Sequence, residues 1–334
     1  MLRYLIILLD DKSVSFCHHQ NRKKEKHPMP IDVLREGIKF GMKENLQIQF
    51  VLSEYPMPQE YWVEMMSIDH SIIASGECGY EEMIPNKVFY QLPDVLTFED
   101  IKKYINYIKR PLNHQITYVL RIRKEELFSK TEVIASSLSS VSRLNIILTD
   151  IESFSDDDFE MYANSLLLLS EGIKDAYSHG LTPQLNLLTD RILLNEMNNC
   201  DAGEKSITLA PDGKFYICPA FYQDNAETPI RKKFNIGSLK EGVDIINPSL
   251  YKIDHAPLCR ICDAFQCKRC IWLNYKTTYE VNTPSHEQCV VAHLERNTSS
   301  RLLNGLKEIS PSFFKDVNIG ETIYLDPFDI RNNL

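Results

Sequence analysis

The sequence predicts an α/β protein: a partial (β/α)6 barrel followed by a small cysteine-rich domain. Two observations predict it. Over the first 190 residues, strand-length apolar runs alternate with helical stretches six times. Such alternation implies a parallel sheet, and six units suit an open partial barrel better than a closed eight-stranded one. Beyond Leu188 the alternation stops, and seven of the nine cysteines fall between Cys200 and Cys289.

The elements follow in order. Residues 3–9 form a near-continuous apolar run, the mark of a strand buried on both faces. The run is far too short to span a bilayer. A charged loop containing Cys17-His18-His19 and Arg22-Lys23-Lys24-Glu25-Lys26-His27 comes next. Chemistry in parallel α/β folds sits at the C-terminal strand ends, so this loop is well placed for it. Charge runs are nonetheless usually solvated connectors, and that is the expectation here. Adjacent residues rarely face one ion, so Cys17, His18 and His19 are not assigned to a metal. Pro30 and Asp32 open a helix to about residue 45. A strand is expected at 47–52, a helix at 60–66 and a strand at 70–74. A helix follows at 98–108 with Thr97 as its N-cap. Next come a strand at 115–121, a helix at 129–142 and a strand at 144–148. A long helix at 159–178 ends at Gly180, a residue suited to a left-handed cap. The last strand is placed at 183–188. Asp150 and Asp190 lie just past strand ends, where acidic residues are common, and receive no role. Gly76-Glu77-Cys78-Gly79 lacks the length and helix context of a phosphate loop.

The pattern then changes. Residues 207–209 and 215–217 flank Pro211-Asp212-Gly213, a hairpin signal. From Cys218 to Cys289 turn residues are common and helical periodicity is weak, so metal is expected to hold this region together. One amphipathic helix is expected at 300–309. The domains are therefore drawn at 1–190, 191–295 and 296–334. A net charge of −9 argues against nucleic acid as a partner. No targeting segment is read, so the chain is expected in the cytoplasm with its thiols reduced.

Four thiols, Cys259, Cys262, Cys267 and Cys270, fall within twelve residues. Cys289 follows them, and Cys200 and Cys218 precede them. Three readings compete. Disulfides are disfavoured because C-x-x-C pairs in a reducing compartment point to metal or redox chemistry. A four-thiolate zinc site usually takes two C-x-x-C knuckles a dozen or more residues apart. Here the pairs are four residues apart, and seven thiols do not divide into fours. Close-set cysteines can meet the iron corners of a cubane, and seven would serve two clusters, four on one and three on the other. Iron–sulfur is the favoured reading, and zinc remains open.

These residues carry a family likeness. Cys200, twelve residues, Gly213, four residues, Cys218, then Cys259, Cys262, Cys267, Cys270 and finally Cys289 resemble the seven-cysteine pattern of the SPASM domain. That domain is the C-terminal module of many radical SAM peptide-modifying enzymes. Ile236-Gly237-Ser238-Leu239 is similar to a recurrent SPASM segment, and the upstream region is similar to the radical SAM partial barrel. The resemblance implies two auxiliary [4Fe–4S] clusters. Cys259, Cys262, Cys267 and Cys289 would hold one, and Cys200, Cys218 and Cys270 the other. The gaps of four and two residues after Cys262 and Cys267 are each one shorter than the usual pattern. The front of the chain departs further. A radical SAM enzyme carries C-x3-C-x2-C after its first strand, and this loop has Cys17 alone. The Gly-Gly-Glu expected after the second strand reads Leu52-Ser53-Glu54-Tyr55-Pro56. No S-adenosylmethionine is therefore expected as a cofactor.

A barrel with SPASM cysteines, no catalytic triplet and the opening MLRYLIILLDD at 1–11 followed by SVSFCH at 13–18 resembles the CXXX repeat peptide maturase family. That likeness implies a neighbouring intact radical SAM/SPASM enzyme and a small precursor peptide with Cys-x-x-x repeats. Three functions follow as expectations. The first is a non-SAM-cleaving partner that binds the peptide, the enzyme or both. The second is a stand-alone peptide-modifying enzyme using an open iron of the Cys200/Cys218/Cys270 cluster as a Lewis acid. The third is a zinc-stabilised protein-binding scaffold. No catalytic residue is assigned.

Overall fold

A computed structural model of the 334-residue chain describes residues 2–77, 80, 84, 91–110, 116–224 and 234–319. The chain folds into two compact units, each drawn from two stretches of sequence. One comprises Met1–Tyr104 and Asp201–Lys252, the other Ile105–Cys200 and Ile253–Leu334.

In the first unit β1 (Tyr4–Leu8), β2 (Gln47–Val51), β3 (His70–Ser75) and β4 (Val95–Phe98) run parallel in that order. On the other side of β1, β8 (Ser206–Leu209) pairs parallel, and β9 (Lys214–Tyr216) returns antiparallel to it. The turn between them carries Gly213 at φ +74°, as the Pro-Asp-Gly signal required. β10 (Asn235–Ser238) and β11 (Gly242–Val243) extend the antiparallel side. The register explains why β1 is apolar throughout. Leu5 and Ile7 stand beside Ile48 and Phe50, on the face that helix α1 (Ile31–Lys43) covers. Gly37 and Gly41 let α1 approach closely, since a Cβ at either would meet Leu209 or Ile48 within 3 Å. The opposite face carries the row Leu8–Val51–Ile73–Val95. Ile6, Leu8, Val51 and Ile73 bury themselves there with Val14, Ala210, Tyr216 and Tyr222.

In the second unit β5 (Thr117–Ile122), β6 (Arg143–Leu148) and β7 (Gln184–Leu185) are parallel. Helices α4 (Lys124–Ser137) and α5 (Asp156–Ser178) pack together, and Gly172 allows it: a Cβ there would lie 2.8 Å from the Ala135 carbonyl oxygen. Ser155 and Asp158 form a capping box at the start of α5, and Gly180 closes its end at φ +76°. A 24-residue helix, α9 (His286–Ile309), packs on α5. It opens with a second capping box, Ser285 and Gln288.

Most elements fall where the sequence placed them, with three corrections. Residues 95–98 form a strand, so Thr97 is a strand residue; the helix α3 (Ile101–Ile108) starts instead behind Asp100, whose Oδ1 accepts the Lys102 N–H at 2.7 Å. The helix expected at 129–142 is α4, about five residues earlier. The helix expected at 300–309 begins fourteen residues sooner, at His286. Cys78 lies outside the described residues.

Candidate metal centre

The charge run after β1 is a largely exposed connector, as expected, but the segment that leads into it is packed. The run from Arg22 to His27 is largely exposed, but Ser13, Val14, Ser15, His19 and Met29 are buried. Val14 joins the apolar row on the sheet, and Phe16 packs against it. Polar groups are tied down in turn. His19 Nε2 donates to Gln223 Oε1 at 2.6 Å, and Gln223 Nε2 donates to the Ser13 carbonyl at 2.7 Å. Asn21 Nδ2 donates to the carbonyls of Asp11 and Ser13. Tyr55, from the stretch that replaces Gly-Gly-Glu, donates its hydroxyl to Asp10 at the end of β1. Burial pushes the Asp10 carboxyl up, and the bonds from Tyr55 and Lys12 oppose it. Tyr222 donates likewise to Asp11, and Lys23 and Lys26 sit over the rings of Tyr222 and Tyr55.

Cys218 belongs to the first unit, as N-cap of a short helix, α7 (Pro219–Gln223). Ile236, Gly237 and Ser238 lie in β10, and Leu239 follows it. Gly237 takes φ +123°, and a Cβ there would lie 2.0 Å from the Gly242 carbonyl oxygen, which explains the glycine in that segment.

The remaining six cysteines of the pattern lie in the second unit. Cys259 opens a single 3-10 turn, Cys259–Ile261, and Cys270 caps helix α8 (Ile271–Thr278). Cys289 sits in the first turn of α9, and His293 follows it one turn later on the same side of the helix. The loop between has its own core, with Ala264, Ile271, Trp272 and Leu273 buried. It is also held by direct bonds. Gln266 Nε2 donates to the Ala292 carbonyl (2.7 Å) and to Glu295 Oε2 (3.1 Å). Asp263 pairs with Arg296 at 3.1 Å and Arg191 at 3.7 Å, and Arg191 lies over the Phe265 ring. The Phe265 carbonyl accepts the Asn198 N–H at 2.8 Å. Tyr162 of α5 donates to Glu295 Oε1 at 2.6 Å. Burial pushes the Glu295 carboxyl up to about 7, against the hydrogen bonds from Tyr162 and Gln266.

Two of the thiols accept backbone N–H groups. The Ala264 N–H points at Cys262 Sγ (3.4 Å) and the Arg269 N–H at Cys267 Sγ (3.5 Å). Each donor sits two residues beyond its sulfur, and such bonds favour the thiolate. His293 Nε2 lies 3.7 Å from Cys262 Sγ. None of the eight described cysteines is in a disulfide. Burial pushes the Cys259 thiol up to about 11 and the Cys267 thiol higher still, and the neighbouring Cys262 adds to both. A bound cation reverses that balance and deprotonates such thiols. The donor set therefore fits a thiophilic metal centre. Among the described residues, no three His, Cys, Asp or Glu side chains converge on the position of one ion. Ligands of a single tetrahedral zinc stand about 3.7 Å apart, whereas cysteines of a cubane each take a separate iron corner.

The fold has close structural likenesses. The chain superposes on anSMEcpe with bound AdoMet at a TM-score of 0.60, with 12% identity, over 92% of this chain and 100% of that one. With the same enzyme bound to AdoMet and the Cp18Cys peptide, the TM-score is 0.62 over the same shares, again at 12% identity. The fold is that of radical SAM/SPASM enzymes. At this identity the likeness concerns the fold alone. No known family profile matches the sequence, and no curated protein matches it.

The sequence nominated the seven cysteines. It did not nominate His293, Arg269, Asn199, Gln266 or Glu295, which touch or adjoin the cysteine loop. Only His293 carried a signal, its helical spacing of four from Cys289. Asp150 and Asp190 serve structure: Asp150 accepts from Arg123 and the Lys124 N–H, and Asp190 from Arg143 at 2.8 Å. No helix among the described residues is long and apolar enough to cross a membrane.

Proposed function

We propose that this chain is a maturation protein for a ribosomally made Cys-repeat peptide, working beside a radical SAM/SPASM enzyme without cleaving S-adenosylmethionine itself. One observation carries this reading. The radical SAM/SPASM fold and its grouped thiols are present, while the loop that would bear the catalytic cluster has one cysteine and is packed with Val14, Phe16 and the His19–Gln223 pair. The solved anSMEcpe complexes hold peptides named Cp18Cys and Kp18Cys, which supports a peptide as the ligand here. Cys259, Cys262, Cys267 and Cys289 would hold one [4Fe–4S] cluster, and Cys200, Cys218 and Cys270 the other. When bound, the clusters would supply electron transfer or an open iron for a substrate thiolate.

The test is protein purified without oxygen. About eight irons and eight sulfides per chain, no 5′-deoxyadenosine from the chain with S-adenosylmethionine and reductant, and co-purification with the neighbouring enzyme are the expected results. Release of 5′-deoxyadenosine by this chain alone would falsify the accessory role. A zinc-stabilised scaffold is the second reading, and the 3.7 Å between Cys262 Sγ and His293 Nε2 favours it, since two ligands of one zinc stand that far apart. Zinc without iron in the same protein would establish it.

A further inference from the structure

Arg269 is built into the cysteine loop in an unusual way. It lies between Cys267 and Cys270 and takes φ +43°, a left-handed conformation that few residues other than glycine adopt. The turn carries its side chain inward, so that Arg269 is only 2% exposed. Its backbone N–H is aimed at Cys267 Sγ at 3.5 Å. Its Nε donates to Asn199 Oδ1 at 2.8 Å, and Asn199 adjoins Cys200. Burying a guanidinium and straining the backbone both cost free energy, and a glycine would make the turn without either cost.

We propose that Arg269 is the built-in counter-charge of the metal–sulfur centre on Cys259, Cys262, Cys267 and Cys289, and that it sets the reduction potential of that centre, with Asn199 holding the guanidinium in place. The inference rests on the iron–sulfur reading above. A cubane on four thiolates carries two negative charges when oxidised, [4Fe–4S]2+, and three after accepting one electron from an external reductant, [4Fe–4S]+. No bond to Arg269 forms or breaks in that step. A buried cation favours the more negative state, so it raises the midpoint potential. Arg269 is a positioning residue acting through charge.

The experiment uses the full chain, purified without oxygen, with three readouts: iron per chain, far-UV circular dichroism and the midpoint potential by spectroscopic titration. The expected result is that R269Q keeps iron and its midpoint falls by at least 59 mV, the equivalent of a tenfold change in a one-electron equilibrium, while R269K stays within that margin. N199D keeps the shape of the site but sets a carboxylate against the guanidinium, so its midpoint falls too; this variant decides the matter if R269Q does not fold. Loss of iron from R269Q alone, with R269K fully loaded, also supports the assignment. Unchanged midpoints in iron-loaded R269Q and N199D overturn it, as does loss of iron from folded R269Q and R269K alike, which assigns the residue to shape. Wild-type protein without iron overturns the cluster reading and the inference together, an outcome the iron assay separates from the others.

Discussion

A single carboxylate shows how locally this fold is stabilised. Asp158 is the third residue of α5. Burial opposes its ionisation, but bonds from Lys124 (2.8 Å) and from the Ser155 backbone and hydroxyl (2.7 Å) outweigh burial and hold its carboxyl at about 2. The folded value lies below the unfolded one, so this group stabilises above about pH 4 and the contribution is lost as pH falls through 2. D158N is expected to lower the melting temperature at pH 7. The gap between wild type and variant is expected to close between pH 4 and pH 2 in a thermal melt series. Removing the other half of the box, S155A, is expected to cost about 1 kcal/mol in urea unfolding. The cysteines were legible at this scale because thiols at such density have few uses. Arg269 was not, because a charged residue within a C-x-x-C pair reads as solvated. Its burial in the folded loop and its bond to Asn199 show that it points inward.

At the scale of elements, β10 and α9 teach opposite lessons. Gly237 was legible only as part of a likeness. The structure gives its reason, a cross-strand carbonyl 2.0 Å from where a Cβ would stand. G237A must open the β10–β11 pairing, and a loss of about 2 kcal/mol or more is expected in denaturant titration. The start of α9 was written in the sequence as Ser285-x-x-Gln288, a capping signal. It was passed over because cysteine-rich stretches with turn residues are read as irregular, and that helix is long enough to anchor the cysteine loop through Gln266 and Glu295. Leu306, fully buried on α9, tests the anchor: L306A is expected to cost about 2–5 kcal/mol, seen as a lower melting temperature. β4 was missed for a different reason. Four residues are too few to show alternation, and they run directly into a helix.

For the whole molecule, the alternating half of the sequence announced a parallel α/β fold because buried strands and amphipathic helices leave strong periodic marks. The division into compact units left no such mark, since it depends on contacts between distant stretches. Metal loading is the property to measure at this scale. C262S and C267S are expected to lose iron and melt earlier than wild type, whereas C17S is expected to keep its full iron content, as read by metal analysis and calorimetry. The packed loop after β1 also limits redesign: Val14 and Phe16 lie on the apolar row of the sheet, His19 is bonded to Gln223 and Asp10 to Tyr55, so replacing any one of them deprives a neighbour of its partner.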